Sequence, residues 1–354
     1  MWGGPCGPPH TRVRTGSGRL LLIAVGPPPV PPARKRHLTV SDFMNYLVLG
    51  LTRGSMYALI ALGYTLVYGV LQLINFAHSE VFMSGAFGSF LVVRAVVGDG
   101  SGTSGGEAVL VIVLGLLSGA ATGAAIAYLL ERVAYRPLRR RGAPKLAFLI
   151  SAIGASFLLS QLFGKLFNRL NNNTFPSYFD ANRTLFHLFG ARVTLLQVII
   201  IVAAVALMIF LDRLVSGTKL GRSIRATAED APTAALMGVD IDRTISRTFM
   251  IGGALAGAAG FLFGTAFVFS NTMGFIPGIK AFAAAVLGGI GNIRGAMIGG
   301  LLLGVAENLI PTAPWSGPAW IGIQWTDVVA FVILVLILVF RPTGILGERL
   351  GRAA

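Results

Sequence analysis

The stretch GYTLVYGVLQLINFAHSEVFMSGAFGSFLVV, Gly63 to Val93, decides the fold. Most of it is apolar enough to sit in lipid, yet Asn75, His78, Ser79 and Glu80 stand near its middle. An ionisable side chain at a bilayer centre costs about 2.5–3.5 kcal/mol on insertion scales, and such groups nearly always face a protein interior or a water-filled cavity. The segment therefore reads as a broken membrane helix: a run over 62–75, a polar turn, and a second helix over 79–97. The Asn75 side chain can accept from the free amides of the turn that follows it. Glu80 then falls in the first turn, where the helix dipole favours negative charge. Two placements stay open. The break is either a solvated turn at the cytoplasmic surface or a deeper feature lining a pathway.

Composition agrees with a membrane protein. The 354 residues are 54% hydrophobic and 12% charged, with a mean hydropathy of +0.74. Soluble domains carry roughly 25% charged residues, so this chain lacks the polar surface to coat itself in water. Apolar runs long enough to cross a bilayer lie at about 43–61, 62–75, 79–97, 108–130, 146–167, 192–212, 246–270, 279–291, 294–310 and 324–340. Two of these, 62–75 and 279–291, are short for a full crossing. The expected fold is an all-α polytopic helical bundle of about eight to ten segments with broken helices. The alternating segments of a transmembrane barrel are not seen.

Loop charge sets the orientation. The 131–145 connection, ERVAYRPLRRRGAPK, carries six basic residues, the 213–245 connection is also basic, and residues 341–354 hold Arg341, Arg349 and Arg352. The 98–107 loop has two acids and no base, and 311–323 has no charge. Basic loops stay in the cytoplasm. Ten crossings put both termini inside and leave 168–191 outside, despite Arg169 and Arg183. If one short segment does not cross, one end changes sides.

The formal net charge of +15 is explained by that asymmetry. Without basic–aromatic interleaving, no nucleic-acid partner is expected. Cys6, the single cysteine, excludes an internal disulfide. Histidines 10, 37, 78 and 187 lack ligand spacing, so no metal is expected. No phosphate-binding Gly-x-x-x-x-Gly-Lys-Ser/Thr loop is present. GTSGG at 102–106 matches a nucleophile elbow only in letters, since it lies in a loop. GIGNIRG at 289–295 is off by one from a dinucleotide fingerprint and follows no strand. No constellation of catalytic groups can be assembled, and neither an enzyme nor a cofactor is expected.

Residues 1–40 hold eight of the seventeen prolines and Arg34-Lys35-Arg36. They read as a disordered extension, and Met44 is a second candidate initiator. Residues 41–347 read as one membrane domain and 348–354 as a cytoplasmic tail. Glycines repeat every four residues at 115/119/123, 253/257, 260/264, 295/299 and 300/304. That spacing lets helix backbones pack closely in lipid. VLQLINFAHSEVFMSGAF and VLGGIGNIRGAMIGGLL faintly echo one another when gaps are allowed, each running from an apolar segment to an Asn, Asn75 or Asn292. A structural repeat, as in a duplicated transporter, and chance likeness of glycine-rich apolar segments both stay open. Arg53, inside the first span, either snorkels along its alkyl stem, the preferred reading, or pairs with an interior acid.

The 213–245 connection, LVSGTKLGRSIRATAEDAPTAALMGVDIDRTISRTF from Leu214, contains helix formers between Gly221 and Gly238. Pro232 should divide them into two short helices, and Asp240 or Asp242 can cap the helix that re-enters the membrane. A helix this short needs a groove to lie in, which points to a cytoplasmic partner. A membrane-surface helix is the plainer reading. Candidate contact residues are Arg222, Arg225, Ala228, Glu229, Asp230, Leu236 and Gly238. Candidate pathway or gate residues are Asn75, His78, Ser79, Glu80 and Asn292.

GLTRGSMYALIALGYTLVYGVLQLINFAHSEVFMSGAF, LGRSIRATAEDAPTAALMGVDIDRTISRTFMIGGALAGAAG and AFAAAVLGGIGNIRGAMIGGLLLGVAEN, taken together, resemble the permease family of branched-chain amino acid ABC importers, and most of all its LivH-type subunits. The likeness spans about 43–347. It implies a bacterial inner-membrane, multi-pass permease working with a second LivM-type permease, two ABC ATPase subunits and an extracytoplasmic substrate-binding protein. The 222–238 segment would then be the coupling helix, with Gly221 and Gly238 as hinges. Arg53 and the N-terminal extension depart from the family pattern. Other amino acids, urea and short amides remain alternative cargoes. A proton-coupled secondary transporter using Glu80 or His78, or a passive urea or ammonia channel, is the rival class.

Overall fold

A computed structural model describes residues 10–14, 20–24, 40–98, 105–167, 175, 183–310, 325–341 and 343–347. The expected 311–323 loop, the 348–354 tail, and most of the 98–107 and 168–182 connections lie outside them. The chain divides into two units, 1–37 and 38–354. In the first, β1 (His10–Arg14) and β2 (Leu20–Ala24) pair antiparallel. Where proline content argues for no regular structure, these ten residues pair; Gly16-Ser17-Gly18 separates a threonine- and valine-bearing run from Leu20-Leu21-Leu22-Ile23. A lone two-stranded hairpin is at best marginally stable in water.

The second unit is helical. Its elements are α1 (Val40–Leu71), α2 (His78–Val97), α3 (Gly105–Leu130) with a π-helical turn at Glu131–Tyr135, α4 (Arg136–Arg140), α5 (Lys145–Leu166), and a hairpin of β3 (Thr184–Leu188) and β4 (Ala191–Thr194). Then come α6 (Leu195–Gly217), α7 (Lys219–Glu229), α8 (Ala231–Leu236), α9 (Ile241–Ala266), α10 (Phe275–Gly288), α11 (Ile293–Leu309) and α12 (Thr326–Phe340). Among the described residues, six helices are long and apolar enough to cross a membrane; α10 and α12 are shorter apolar helices.

The runs 43–61 and 62–75 are one helix of 32 residues. Their junction, Ala61-Leu62, is no boundary, although a glycine, which weakens a helix, follows it. In fact Gly63 lies mid-helix, where His78 leaves no room for a side chain. The merger also moves one terminus. The Arg192 amide donates to Asn45 Oδ1 at 3.1 Å, so α1 begins beside the β3–β4 hairpin. The basic segments gather at the other end. Asp242 pairs with Arg136, Arg139 and Arg140, Arg294 pairs with Asp212 at 3.2 Å, and the Ile345 and Leu346 amides donate to Leu287 and Gly288. The helical unit thus starts at the end opposite the basic one, against the expectation that both termini share a side.

Glycine faces build the centre. A methyl on Gly119 would lie 2.7 Å from Gly257 O, and one on Gly123 would lie 2.9 Å from Gly257 Cα. Such contacts are too short to exist, so α3 and α9 meet backbone to backbone. A methyl on Gly54 would be 2.9 Å from Gly300 O, and α1 and α11 meet the same way. Small residues at helix interfaces allow this approach in lipid. Phe82, Phe87, Phe249, Phe261 and Phe269 fill the space around these seams.

Candidate functional site

The chain after α1 does not run straight on. Gln72 adopts a left-handed φ of 51°, and residues 72–77 turn back along the helix. Helix α2 therefore begins beside Gly63, eight residues before α1 ends, or roughly 12 Å at 1.5 Å rise per residue. Asn75 is 4% exposed, His78 1%, Ser79 6% and Glu80 3%. A fully solvated turn would leave these four side chains wet; here protein encloses them, while Gln72 at the start of the turn is exposed.

Each polar group is held. Asn75 Oδ1 accepts from the Ala77 amide at 3.1 Å and from the Tyr135 hydroxyl at 2.6 Å. The first bond caps the turn ahead of α2, whose own N-cap position is Ala77. The second ties the break to the π-turn at the end of α3. The His78 ring packs edge-on against Tyr64, centroids 4.8 Å apart. Ser79 Oγ donates to the Phe76 carbonyl at 2.9 Å, and Ser156 Oγ donates to Glu80 Oε1 at 3.3 Å. Among the described residues, His78 Nε2 and Glu80 Oε2 are buried without a hydrogen-bond partner. Gly274 lies directly over Glu80, where a methyl would be 3.1 Å from Oε2. The arrangement gives one acceptor oxygen, one ring nitrogen and adjacent glycine backbone in a protein interior.

Asn292 stands apart from this group. It caps α11, accepting from the Gly295 amide at 3.0 Å, and its Nδ2 donates to the Leu346 carbonyl at 2.9 Å. It thereby fastens the α10–α11 turn to the C-terminal segment.

The 219–238 element forms the two helices expected on either side of Asp230, with Pro232 in the first turn of α8. Thr218 caps α7 by accepting from the Gly221 amide at 3.1 Å. Gly221 is therefore inside the helix, buried against Val215, and not at a hinge. Gly238 does end the element, at φ 86° in open space. Asp240 caps α9, accepting from the Arg243 amide at 3.0 Å. The expected groove turns out to be internal. Gly221, Ile224 and Thr227 are buried within the chain, and the Arg225 guanidinium donates to the Val215 carbonyl. Arg222, Glu229 and Asp230 remain exposed and Ala228 is half-buried. Leu236 and Met237, 88% and 81% exposed, form an apolar tip.

Two charge networks were missed in the sequence. In the first, buried Lys280 bonds Glu307 at 2.7 Å and Asp327 at 2.6 Å. Tyr57 donates to Glu307 at 3.4 Å, and Arg53 stands 3.7 Å from it. Arg53 thus pairs with an interior acid, against the snorkelling preference. A lone Lys and a lone Glu in apolar runs were the available signal. In the second, Glu131 is fully buried and bonds Arg139 at 3.1 Å and Ser246 at 2.6 Å. Arg139 continues to Asp242 at 2.6 Å. In the sequence these arginines spoke only to orientation; Glu131 is eight residues from Arg139, but Asp242 lies more than a hundred residues away.

Residues 46–338 match the family described as branched-chain amino acid transport system / permease component. The chain is 42% identical over 309 residues to the high-affinity branched-chain amino acid transport system permease protein LivH of Escherichia coli K12, covering 86% of this chain and 96% of that protein. It is 42% identical over 312 residues to the corresponding permease protein BraD of Pseudomonas aeruginosa, covering 87% and 97%. A probable LivH permease of Methanocaldococcus jannaschii is 28% identical over 315 residues, covering 88% and 95%.

Proposed function

The chain belongs to the branched-chain amino acid transport system permease family, and from that membership we propose how it moves its cargo. It is a multi-pass permease of the inner membrane and a transport subunit, not an enzyme. The proposed cargo is a branched-chain amino acid. The proposed assembly contains a second LivM-type permease, two ABC ATPase subunits and an extracytoplasmic binding protein, with residues 41–347 as the permease domain and 348–354 as a cytoplasmic tail. ATP hydrolysis by the partners drives the cycle, and this chain supplies half of the pathway and a lever.

The lever is the 219–238 element. The observation that carries this reading is the exposed Leu236–Met237 tip on helices whose opposite face is packed into the chain. Arg222, Arg225, Ala228, Glu229, Asp230 and Gly238 surround the contact. Movement of the tip passes through Gly238 to α9, whose first turn carries Asp242. Asn75, His78, Ser79 and Glu80 line the pathway, where Glu80 can accept from the ammonium of an amino acid. Asn292 and the Leu346 segment close its inner end.

The test is uptake by proteoliposomes holding the full complex and its binding protein. Leu236→Asp with Met237→Asp should lower uptake at least tenfold and reduce substrate-stimulated ATP hydrolysis to the basal level, with membrane insertion intact. Unchanged uptake would remove the lever, and concentrative uptake by this chain alone, without nucleotide, would establish a secondary transporter.

A further inference from the structure

We propose that the arginine-rich turn after α3 is a binding site for an anionic phospholipid headgroup. Arg132, Arg136, Pro137, Arg140 and Arg141 line a cleft of about 400 Å³ at the basic end of the helices. The charge within it is not balanced. Five arginines, 132, 136, 139, 140 and 141, face two carboxylates, Glu131 and Asp242. Asp242 already takes three of them. Arg132 and Arg141 have no ion pair among the described residues, and Arg139 Nη1 is buried without a hydrogen-bond partner. Guanidinium groups held in this way suit a phosphodiester, whose oxygens accept in pairs.

The surroundings select a lipid over a free anion. Leu129 and Val133, on the same helical stretch as Arg132 and Arg136, are 52% and 72% exposed. Leu146 and Ile150, just after the arginines on α5, are 63% and 62% exposed. Leu129 and Val133 stand at i, i+3 and i+4 spacing from Arg132 and Arg136, so an apolar strip runs up to the cleft along α3, as acyl chains below a bound phosphate would require. Basic pockets between membrane helices on the cytoplasmic side are a recurrent setting for acidic headgroups. The same arginines hold Asp242 at the head of α9, so an occupied cleft sits beside the first turn that follows the 219–238 element.

Native mass spectrometry of the delipidated full-length protein tests this, with phosphatidylglycerol and phosphatidylcholine of identical chains as probes. The wild type should retain phosphatidylglycerol with roughly thirtyfold preference or more, at about fivefold per basic residue. Arg132→Gln with Arg141→Gln should lower that preference by about ten- to thirtyfold, taking roughly fivefold per basic residue near an acidic surface. The control pair Arg213→Gln with Lys219→Gln removes two cytoplasmic cations elsewhere and should leave it unchanged. An equal fall in the control would reduce the effect to general surface charge and overturn the site. So would equal retention of both lipids, or displacement of phosphatidylglycerol by millimolar inorganic phosphate. Monodisperse elution and unchanged melting of both variants show that the folded protein is being compared.

Discussion

Two asparagines end turns between apolar helices, and the two turns have opposite surroundings. At Asn75 the chain doubles back along α1, so the Asn75 side chain is buried and α2 starts beside mid-helix residues. At Asn292 the chain makes a plain reversal through Gly289 and Gly291, at φ 109° and 95°, and Asn292 caps α11 near the surface. The cap chemistry is shared. What differs is the partner: a buried tyrosine hydroxyl for Asn75, a backbone carbonyl of the C-terminal segment for Asn292. A polar turn within a membrane protein therefore does not by itself tell depth. The depth comes from how far the preceding helix overshoots.

The largest effect should come from closing the space that lets the first turn fold back. Gly63→Leu would drive a side chain into His78 and toward the Gly252 carbonyl, which a methyl would already approach to 3.0 Å. Overpacking of this kind costs about 3 kcal/mol or more. Little folded protein should be recovered in a fluorescence-detected sizing assay. Away from both turns, Gly217→Leu at the end of α6 is the contrast, an open glycine, and should leave expression near wild type.

Asn75→Ala is next. It removes the cap and strands the buried Tyr135 hydroxyl, at about 2 kcal/mol. For a chain of this size that is a fall of roughly 3 °C in Tm. Tyr135→Phe in the same background should recover part of the loss, because the orphaned hydroxyl is gone. A Tm unaffected by Asn75→Ala would mean that the turn is held by its packing alone. Glu80→Gln keeps the Ser156 bond available and changes charge, not shape. Uptake in the reconstituted complex should fall at least tenfold while Tm holds within about 1 °C, the equivalent of less than about 1 kcal/mol. Full uptake would take Glu80 out of the pathway.

Much of this was legible beforehand, and the reasons divide cleanly. Hydropathy follows local composition, so the helical class and most spans could be read directly. The polar group at 75–80 stood out because each member is costly in lipid. The two helices around Asp230 followed from one proline. What was hidden was relational. Nothing local in LTRGSMYALIALGYTL says that Gly63 is there to admit a histidine fifteen residues on. Lys280 and Glu307 are neighbours only after α10 and α11 pack, and Arg139 meets Asp242 across more than a hundred residues. The groove for α7 was sought in a partner because a sequence cannot show that the chain folds a groove of its own.

The smallest effect belongs to Asn292, and it separates two roles. Asn292→Ala loses both the cap to Gly295 and the bond to Leu346. A lost cap is typically about 1 kcal/mol, and an exposed backbone contact adds little since water replaces it. Tm should drop by about 1–2 °C, with uptake lowered only two- to threefold. Asn292→Ser keeps a side-chain acceptor for the Gly295 amide but is too short to span to Leu346. If Ser restores Tm and leaves uptake low, the contact with the C-terminal segment serves the transport cycle. If Ser restores both, Asn292 is a helix cap, and the likeness between the two asparagine turns ends at their hydrogen bonds.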